Sequence, residues 1–234
     1  MRINIIQHTP NERPGSILDW AHDRGHDVYI YHPYQFGILP KVEETDMLVI
    51  MGGPMSVNDD IDWIEFERDI IKELAEKDVP IYGACFGAQQ IAKTFGAKIT
   101  TSTAKKVGWA PVYLRSERIP GIYNKLTAMH WHGEMFEIPK NGELLFSSDL
   151  VENQGFIIGD RIVGLQFHFE LGTDEVREIV TNDNKYVEGS ALNQTNEDIL
   201  ARPVPKENKQ VMYAILDYIA KATSIKIDLN NNLI

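Results

Sequence analysis

The sequence predicts an α/β protein with a doubly wound, mostly parallel sheet and an added antiparallel portion. Four short apolar segments rich in β-branched residues alternate with stretches of helical composition in the first hundred residues. Such alternation favours parallel strands covered by helices on both faces. After residue 100, apolar segments follow one another with short turns between them, which is typical of antiparallel pairing.

The predicted parallel strands are residues 2–6, 27–31, 47–51 and 79–82. The clearest helix between them is predicted over residues 62–77, because apolar residues recur there at helical spacing and the remaining positions are charged. Asp59, Asp60 and Asp62 precede or begin this helix, and we interpret them as N-terminal charges that complement its dipole rather than as a cation site.

The predicted antiparallel strands are residues 110–114 and 143–146, followed by a hairpin over residues 155–167 that turns at Gly159 and Asp160. Residues 182–206 are polar and rich in turn formers, so we expect an excursion or a mobile segment. A last helix is predicted over residues 207–222, and residues 226–234 are expected to fray. The sequence thus predicts a single domain over residues 1–234.

Composition limits the partners and the compartment. The chain has 234 residues, a formal net charge of −11 and one cysteine. The negative charge disfavours binding to nucleic acid, and no apolar run approaches the ~20 residues that cross a membrane. A lone cysteine forms no internal disulfide and the N-terminus has no signal-peptide pattern, so we expect a cytoplasmic protein.

Cys85 is predicted to be a nucleophile. It lies between an apolar strand and a stretch of helical composition, with Gly83 and Gly87 two residues away on either side. Glycines at this spacing permit the sharp strand-to-helix turn that exposes a nucleophile. The N-terminus of the following helix is expected to lower the thiol pKa. The alternative is a buried cysteine that acts as a small apolar residue.

His168 and Glu170 are the predicted general base and the group that orients it. Side chains two residues apart on a strand point the same way, so Glu170 can hydrogen bond one ring nitrogen while the other faces the sulfur. His130 and His132 could instead form a zinc site with His168 and Cys85. Because such a site would not need a glycine elbow, no metal is expected. The other histidines, His8, His22, His26 and His32, are expected to be ordinary surface or core residues.

The turn at Gly52 and Gly53 supplies a predicted oxyanion hole. It follows the strand 47–51 at the carboxyl edge of the predicted sheet, where the sites of open α/β proteins collect. A glycine N–H there, together with the N–H of Phe86, could bind the oxygen of a tetrahedral intermediate.

Three motifs together resemble the class I, or triad-type, glutamine amidotransferases, especially the stand-alone branch similar to the glutaminase domain of GMP synthase. They are Gly52-Gly53-Pro54-x-Ser56, Gly83-x-Cys85-x-Gly87-x-Gln89 and Gly164-x-Gln166-Phe167-His168-x-Glu170. The resemblance implies a flavodoxin-like fold and a triad of Cys85, His168 and Glu170. This triad would hydrolyse the side-chain amide of glutamine through a γ-glutamyl thioester, without a cofactor. The resemblance also implies that Gln89 and Gly52 bind the substrate and that Gly53 and Phe86 form the oxyanion hole.

Two residues depart from the family pattern. Phe169 replaces the usual proline of the triad motif, and Lys106 stands where a glutamate is common. Lys106 is expected to repel the amino group of free glutamine, which favours a γ-glutamyl conjugate.

Three functions remain open at this point. The first is a glutaminase that delivers ammonia to a separate synthetase, because the sequence shows no synthetase domain. The second is a γ-glutamyl peptidase, and the third is a non-catalytic regulatory module with the same fold.

Overall fold

One nine-stranded sheet forms the centre of the computed structural model, which describes residues 1–231 and the side chains of residues 1–220. The strands are β1 (Arg2–Ile6), β2 (Asp27–Tyr31), β3 (Met47–Ile50), β4 (Ile81–Ala84), β5 (Ile99–Leu114), β6 (Lys125–Phe136), β7 (Gly142–Ser147), β8 (Gly155–Ile158) and β9 (Ile162–Leu165). Their order across the sheet is β2-β1-β3-β4-β9-β8-β7-β5-β6.

The first half of the sheet is parallel. Strands β2, β1, β3, β4 and β9 run in the same direction, each paired with its neighbour. The chain starts at β1, adds β2 on one side and then crosses to β3 on the other, which makes the sheet doubly wound. The predicted fold class is confirmed. In such sheets ligands bind outside the carboxyl ends of the strands.

The second half of the sheet is antiparallel. Strands β8 and β9 form the hairpin predicted around Gly159 and Asp160, and β7 pairs with β8. Strands β5 and β6 form a long hairpin whose register shifts between Thr101 and Lys106. The sequence indicates only residues 110–114 of this hairpin, because the first half of β5 is polar and lacks the apolar pattern of a strand.

Helices cover both faces of the sheet. Helices α1 (Ser16–Asp23) and α7 (Lys206–Asn231) pack on one face, and α3 (Asp62–Glu76) and α4 (Phe86–Thr94) pack on the other. Helix α5 (Thr173–Asn182) packs against the β5–β6 hairpin, where Val176 and Ile179 join Trp131 in a third apolar cluster. The remaining helices, α2 (Pro33–Phe36) and α6 (Asn196–Ala201), are short.

The segment 182–206 contains a short 3-10 helix, Asn184–Val187, and helix α6. It is tied to β5, because Ser190 Oγ accepts a hydrogen bond from the N–H of Val107 and the N–H of Ala191 donates to the carbonyl of Lys105. Its mobility stays a prediction. Helix α7 runs past the predicted end at residue 222 to Asn231, and residues 232–234 of the predicted tail lie outside the described residues.

Candidate active site

Cys85 lies on a sharp turn between β4 and α4. Strand β4 ends at Ala84 and α4 begins at Phe86, so one residue connects the two elements. Its φ of 51° is in the left-handed region, which costs about 1–3 kcal/mol for a residue with a side chain. A Cβ atom on Gly83 would lie 2.6 Å from the backbone of Gly87, and one on Gly87 would collide with the carbonyl of Ile50. The elbow therefore requires both glycines.

The pairing of β4 with β9 brings His168 and Glu170 to the same edge of the sheet as Cys85. Both residues follow the end of β9 rather than lying within it, and the backbone N–H of His168 donates to the carbonyl of Met129 over 2.9 Å. His168 Nδ1 lies 2.6 Å from Glu170 Oε1, with both side chains fully buried. The other ring nitrogen, Nε2, is buried and has no hydrogen-bond partner among the described residues.

The electrostatics of this pair make His168 a strong base. Burial lowers the pKa of His168, but the charge of Glu170, the neighbouring Cys85 thiol and the hydrogen bond with Glu170 together raise it well above its ordinary value. At Cys85, burial raises the thiol pKa and outweighs the lowering by His168 and by the N–H of Phe86. The predicted lowering of the thiol pKa is therefore wrong in its net direction, because desolvation disfavours the thiolate more than the helix terminus favours it.

A chain of amide groups links Gln89 to the sulfur atom. Gln166 Nε2 donates to Cys85 Sγ over 3.7 Å, and Gln89 Nε2 donates to Gln166 Oε1 over 3.2 Å. Gln89 also lines the cavity beside Cys85. The structure thus places Gln89 where the resemblance implies, and its contact with substrate stays a prediction.

Gly53 and Phe86 line the same cavity as Cys85, as an oxyanion hole requires. Gly52 lies behind them and has a different structural effect. A Cβ atom on Gly52 would collide with Glu12 Oε2 and would lie 3.4 Å from Cys85 Cβ. The missing side chain therefore leaves room for the Glu12 carboxyl group beside the candidate nucleophile.

The cavity beside Cys85 has a volume of about 300 Å³. Besides Cys85, Gly53, Phe86 and Gln89, its lining includes Glu12, Pro54, Met55, Ser56, Trp131, His132, Gly133, Glu134, Asp183 and Tyr186. Burial lowers the pKa of His132 to about 3, so this imidazole is neutral at physiological pH. Its Nδ1–H donates to the carbonyl of Glu134 over 2.9 Å, which leaves Nε2 as an acceptor.

Lys106 does not face this cavity. Its side chain is buried, donates to Ser148 Oγ over 2.8 Å and lies 3.4 Å from His130 Nε2. Burial lowers the pKa of Lys106 to about 7. The expected repulsion of a substrate amino group by Lys106 is therefore wrong, because the amine points into a separate buried cluster.

Phe169 is accommodated without loss of the His168–Glu170 bond. Its ring packs edge-on against Phe167, with ring centroids 4.7 Å apart, and lies 5.7 Å from Phe146. Three aromatic rings therefore pack beneath the triad motif at the position where the family usually has a proline.

Two features of the site carry no local sequence signal. Glu12 reaches the cavity from the loop between β1 and α1, 73 positions before Cys85 in the chain. His8 is buried and bonded to Glu67, and it packs on Phe86 with ring centroids 4.7 Å apart. Gly52 and Gly53 indicate that other residues approach the backbone closely at this turn. No local sequence pattern indicates which residues these are.

The two histidines of the alternative zinc site lie near each other but do not form a metal cluster with other described side chains. His130 and His132 have ring centroids 5.7 Å apart. In the described residues, no three His, Cys, Asp or Glu side chains are arranged to hold a metal ion. Within residues 1–231, no helix combines the length and the apolar composition needed to cross a membrane.

The fold and this site define a family. The model of the class I glutamine amidotransferase family matches residues 16–185, and the chain belongs to this family. The solved structure of a glutamine amidotransferase from Thermotoga maritima superposes with a TM-score of 0.86 at 25% identity. The match covers 94% of this chain and 98% of that one.

Three relatives show the range of the family around this chain. The chain is 28% identical over 196 residues to the glutamine amidotransferase-like protein YfeJ of Salmonella typhimurium. This match covers 79% of this chain and 82% of YfeJ. It is 29% identical to the GMP synthase of Natranaerobius thermophilus over 68% of this chain but only 32% of the synthase. It is also 29% identical to gamma-glutamyl peptidase 4 of Arabidopsis thaliana, over 59% of each protein.

Proposed function

We propose that this protein hydrolyses the γ-amide bond of glutamine or of a γ-glutamyl compound. Cys85 is the nucleophile, His168 is the general base and Glu170 orients the imidazole. The buried 2.6 Å bond between His168 and Glu170, beside a thiol on a strained elbow, is the observation that carries the proposal. Membership of the amidotransferase family supports the same chemistry.

The reaction begins when His168 Nε2 takes the thiol proton and Cys85 Sγ attacks the γ-carbonyl carbon. The N–H groups of Gly53 and Phe86 bind the resulting oxyanion. One such donor lowers the activation free energy by about 3 kcal/mol. The carbon–nitrogen bond then breaks as the imidazolium protonates the leaving nitrogen. Water, deprotonated by His168, hydrolyses the γ-glutamyl thioester and releases glutamate.

The leaving group distinguishes two versions of this function. With glutamine it is ammonia, which in this version serves a separate synthetase, as the likeness to one third of a GMP synthase suggests. With a γ-glutamyl conjugate it is a larger amine, as the likeness to a gamma-glutamyl peptidase suggests. A cavity of about 300 Å³ is the size of a small-molecule site and suits either version.

A regulatory module without activity is the weaker proposal, because it would not need a strained cysteine aligned with a buried base. We also propose a cytoplasmic location. A reducing compartment suits a protein whose single cysteine must stay a free thiol.

The test is turnover of glutamine and a panel of γ-glutamyl amides, with ammonia and glutamate measured separately. Cys85→Ala should abolish glutamate release from every compound and prevent labelling by a glutamine-mimicking diazoketone. Cys85→Ser, which keeps the shape of the elbow, should also lose at least most of the activity because the hydroxyl is a weaker nucleophile. Glutamate release by Cys85→Ala at the rate of the unaltered protein would reject the proposal.

A further inference from the structure

The charged side chains that line the Cys85 cavity are all carboxylates. They are Glu12, Glu134 and Asp183, and within the described part of the chain no lysine or arginine lines this cavity. His132 adds an acceptor, because its Nε2 is buried and has no hydrogen-bond partner among the described residues. A cavity rich in acceptors and without cationic donors fits a ligand that brings its own N–H groups.

Glu12 brings an unpartnered oxygen close to the reacting atoms. The residue as a whole is partly exposed, but its Oε2 is buried and has no hydrogen bond within the described residues. A buried acceptor without a partner is unfavourable, and a donor on the ligand would relieve this cost. Burial raises the pKa of the Glu12 carboxyl, His168 lowers it, and Glu12 in turn raises the pKa of the Cys85 thiol.

In the proposed reaction, the leaving nitrogen lies close to Glu12. The imidazolium of His168 protonates the leaving nitrogen, so this nitrogen has to lie next to His168. Glu12 lies beside the same reacting atoms, because a Cβ atom on Gly52 would collide with Glu12 Oε2 and would lie 3.4 Å from Cys85 Cβ.

A second cavity continues from this point. Its volume is about 200 Å³, and it shares Glu12, Pro54, Trp131 and Asp183 with the first. The polar residues that line only the second cavity, Thr9, Asn11 and Asn182, are uncharged. Trp131 Nε1 donates to Asp183 Oδ2 over 3.0 Å and fixes the carboxylate at the wall between the two cavities. Two carboxylates, Glu12 and Asp183, therefore line both cavities.

We propose that the preferred substrate is a γ-glutamyl amide whose leaving amine carries a second, cationic amino group, as in a singly acylated diamine. This inference rests on the proposed hydrolysis. The amide carbon–nitrogen bond breaks as Cys85 Sγ holds the γ-glutamyl group, and the nitrogen takes its proton from His168. The diamine leaves past Glu12 with its distal ammonium group at Asp183, and water then hydrolyses the thioester.

The test compares three γ-glutamyl amides of similar length. The 4-aminobutylamide carries a distal cation, the pentylamide is neutral, and the conjugate of 4-aminobutyrate carries a distal anion. For the unaltered protein, kcat/KM for the cationic amide should exceed that for the neutral amide by roughly tenfold or more, the size of one hydrogen bond between charged groups. The anionic amide should be the poorest of the three.

For each variant, the measured quantity is the ratio of kcat/KM for the cationic amide to kcat/KM for the neutral amide. A general loss of activity lowers both values equally and leaves this ratio unchanged. Glu12→Gln and Asp183→Asn keep the shape of each side chain and should each reduce the ratio several-fold. Asp174→Asn removes the same charge from an exposed position on α5 and should keep the ratio. This control excludes a general effect of the negative charge of the protein.

The outcomes separate this inference from the proposed function. If the unaltered protein hydrolyses the cationic and neutral amides equally well, the inference is wrong and the hydrolysis stands. If the ratio is high but is unchanged in both Glu12→Gln and Asp183→Asn, the assignment of these residues is wrong. If neither glutamine nor any γ-glutamyl amide is hydrolysed, the proposed function fails together with the inference.

Discussion

Two buried histidine–glutamate pairs lie close to each other in this protein. His168 Nδ1 is 2.6 Å from Glu170 Oε1, and His8 Nε2 is 2.8 Å from Glu67 Oε2. All four side chains are fully buried. By burial and bond length alone, the two pairs would be equal candidates for a catalytic base.

The second ring nitrogen separates the two pairs. His8 Nδ1 lies 3.1 Å from the carbonyl of Met51, so both nitrogens of His8 are used within the protein. In contrast, His168 Nε2 has no hydrogen-bond partner among the described residues. This unpaired nitrogen is the reason that we propose His168, and not His8, as the catalytic base.

The His8 pair supports the walls of the site instead. Its ring packs between Trp63 and Phe86. A Cβ atom on Gly53 would lie 2.8 Å from His8 Cβ, so this side chain also sits directly behind Gly53. The pair therefore holds the two residues that we propose for the oxyanion hole.

The sharpest test of this contrast exchanges each histidine for glutamine, which can still hydrogen bond but cannot act as a base. His168→Gln should lower kcat by roughly 10⁴-fold, the upper range for loss of a general base. His8→Gln should keep activity within roughly tenfold, because its role is to position other groups. Steady-state glutamate release measures kcat for both variants, and Cys85→Ala gives the background rate. Similar losses in the two variants would contradict the distinction.

Glu67→Ala tests the structural pair through stability. The substitution leaves His8 without its carboxylate and Gln90 Nε2 without the acceptor that lies 3.0 Å away. Breaking a buried pair in this way costs about 3–5 kcal/mol of unfolding free energy. Urea denaturation measures it, and Glu65→Ala on the exposed face of the same helix should change stability by less than about 0.5 kcal/mol. A loss below about 1 kcal/mol in Glu67→Ala would show that the pair contributes little.

Lys106 extends the comparison to a buried base with no carboxylate bonded to it in the described residues. Burial lowers its pKa from 10.5 to about 7, whereas Glu170 helps to raise that of His168. Between about pH 7 and pH 10.5, the Lys106 side chain keeps its proton in the unfolded chain but has released it in the folded chain. The free energy of unfolding should therefore rise with pH across this window.

Lys106→Met should remove most of this rise. For the unaltered protein, this residue contributes an increase of at most about 2 kcal/mol in unfolding free energy between pH 7 and about pH 8.5. Urea denaturation at several pH values measures the slope, with Lys98→Met as the control on an exposed lysine of the same charge. An unchanged slope in Lys106→Met would show that the amine is not held neutral in the fold.

Much of the scaffold could be predicted because its signals are local. Strands β1 and β2 have the predicted bounds, and the elbow at Cys85 follows from two glycines between an apolar strand and a helix. The two-residue spacing of His168 and Glu170 also lets their side chains meet, but both residues lie beyond the end of β9 rather than on the predicted strand. The net pKa of the Cys85 thiol could not be predicted, because the helix terminus is local but burial depends on the whole fold.

The amino-acid sequence by itself determined the doubly wound sheet, the elbow and the order of the proposed catalytic residues, since each depends on spacing along a few neighbouring positions. Only the tertiary structure decided that Lys106 turns away from the cavity, that His8 bonds Glu67 across 59 positions, and that Glu12 lies beside Cys85. These contacts join distant segments, and the energies that select them come from burial and packing of the complete chain. Spacing therefore predicts where the chemistry can occur, and the three-dimensional contacts decide which neighbours surround it.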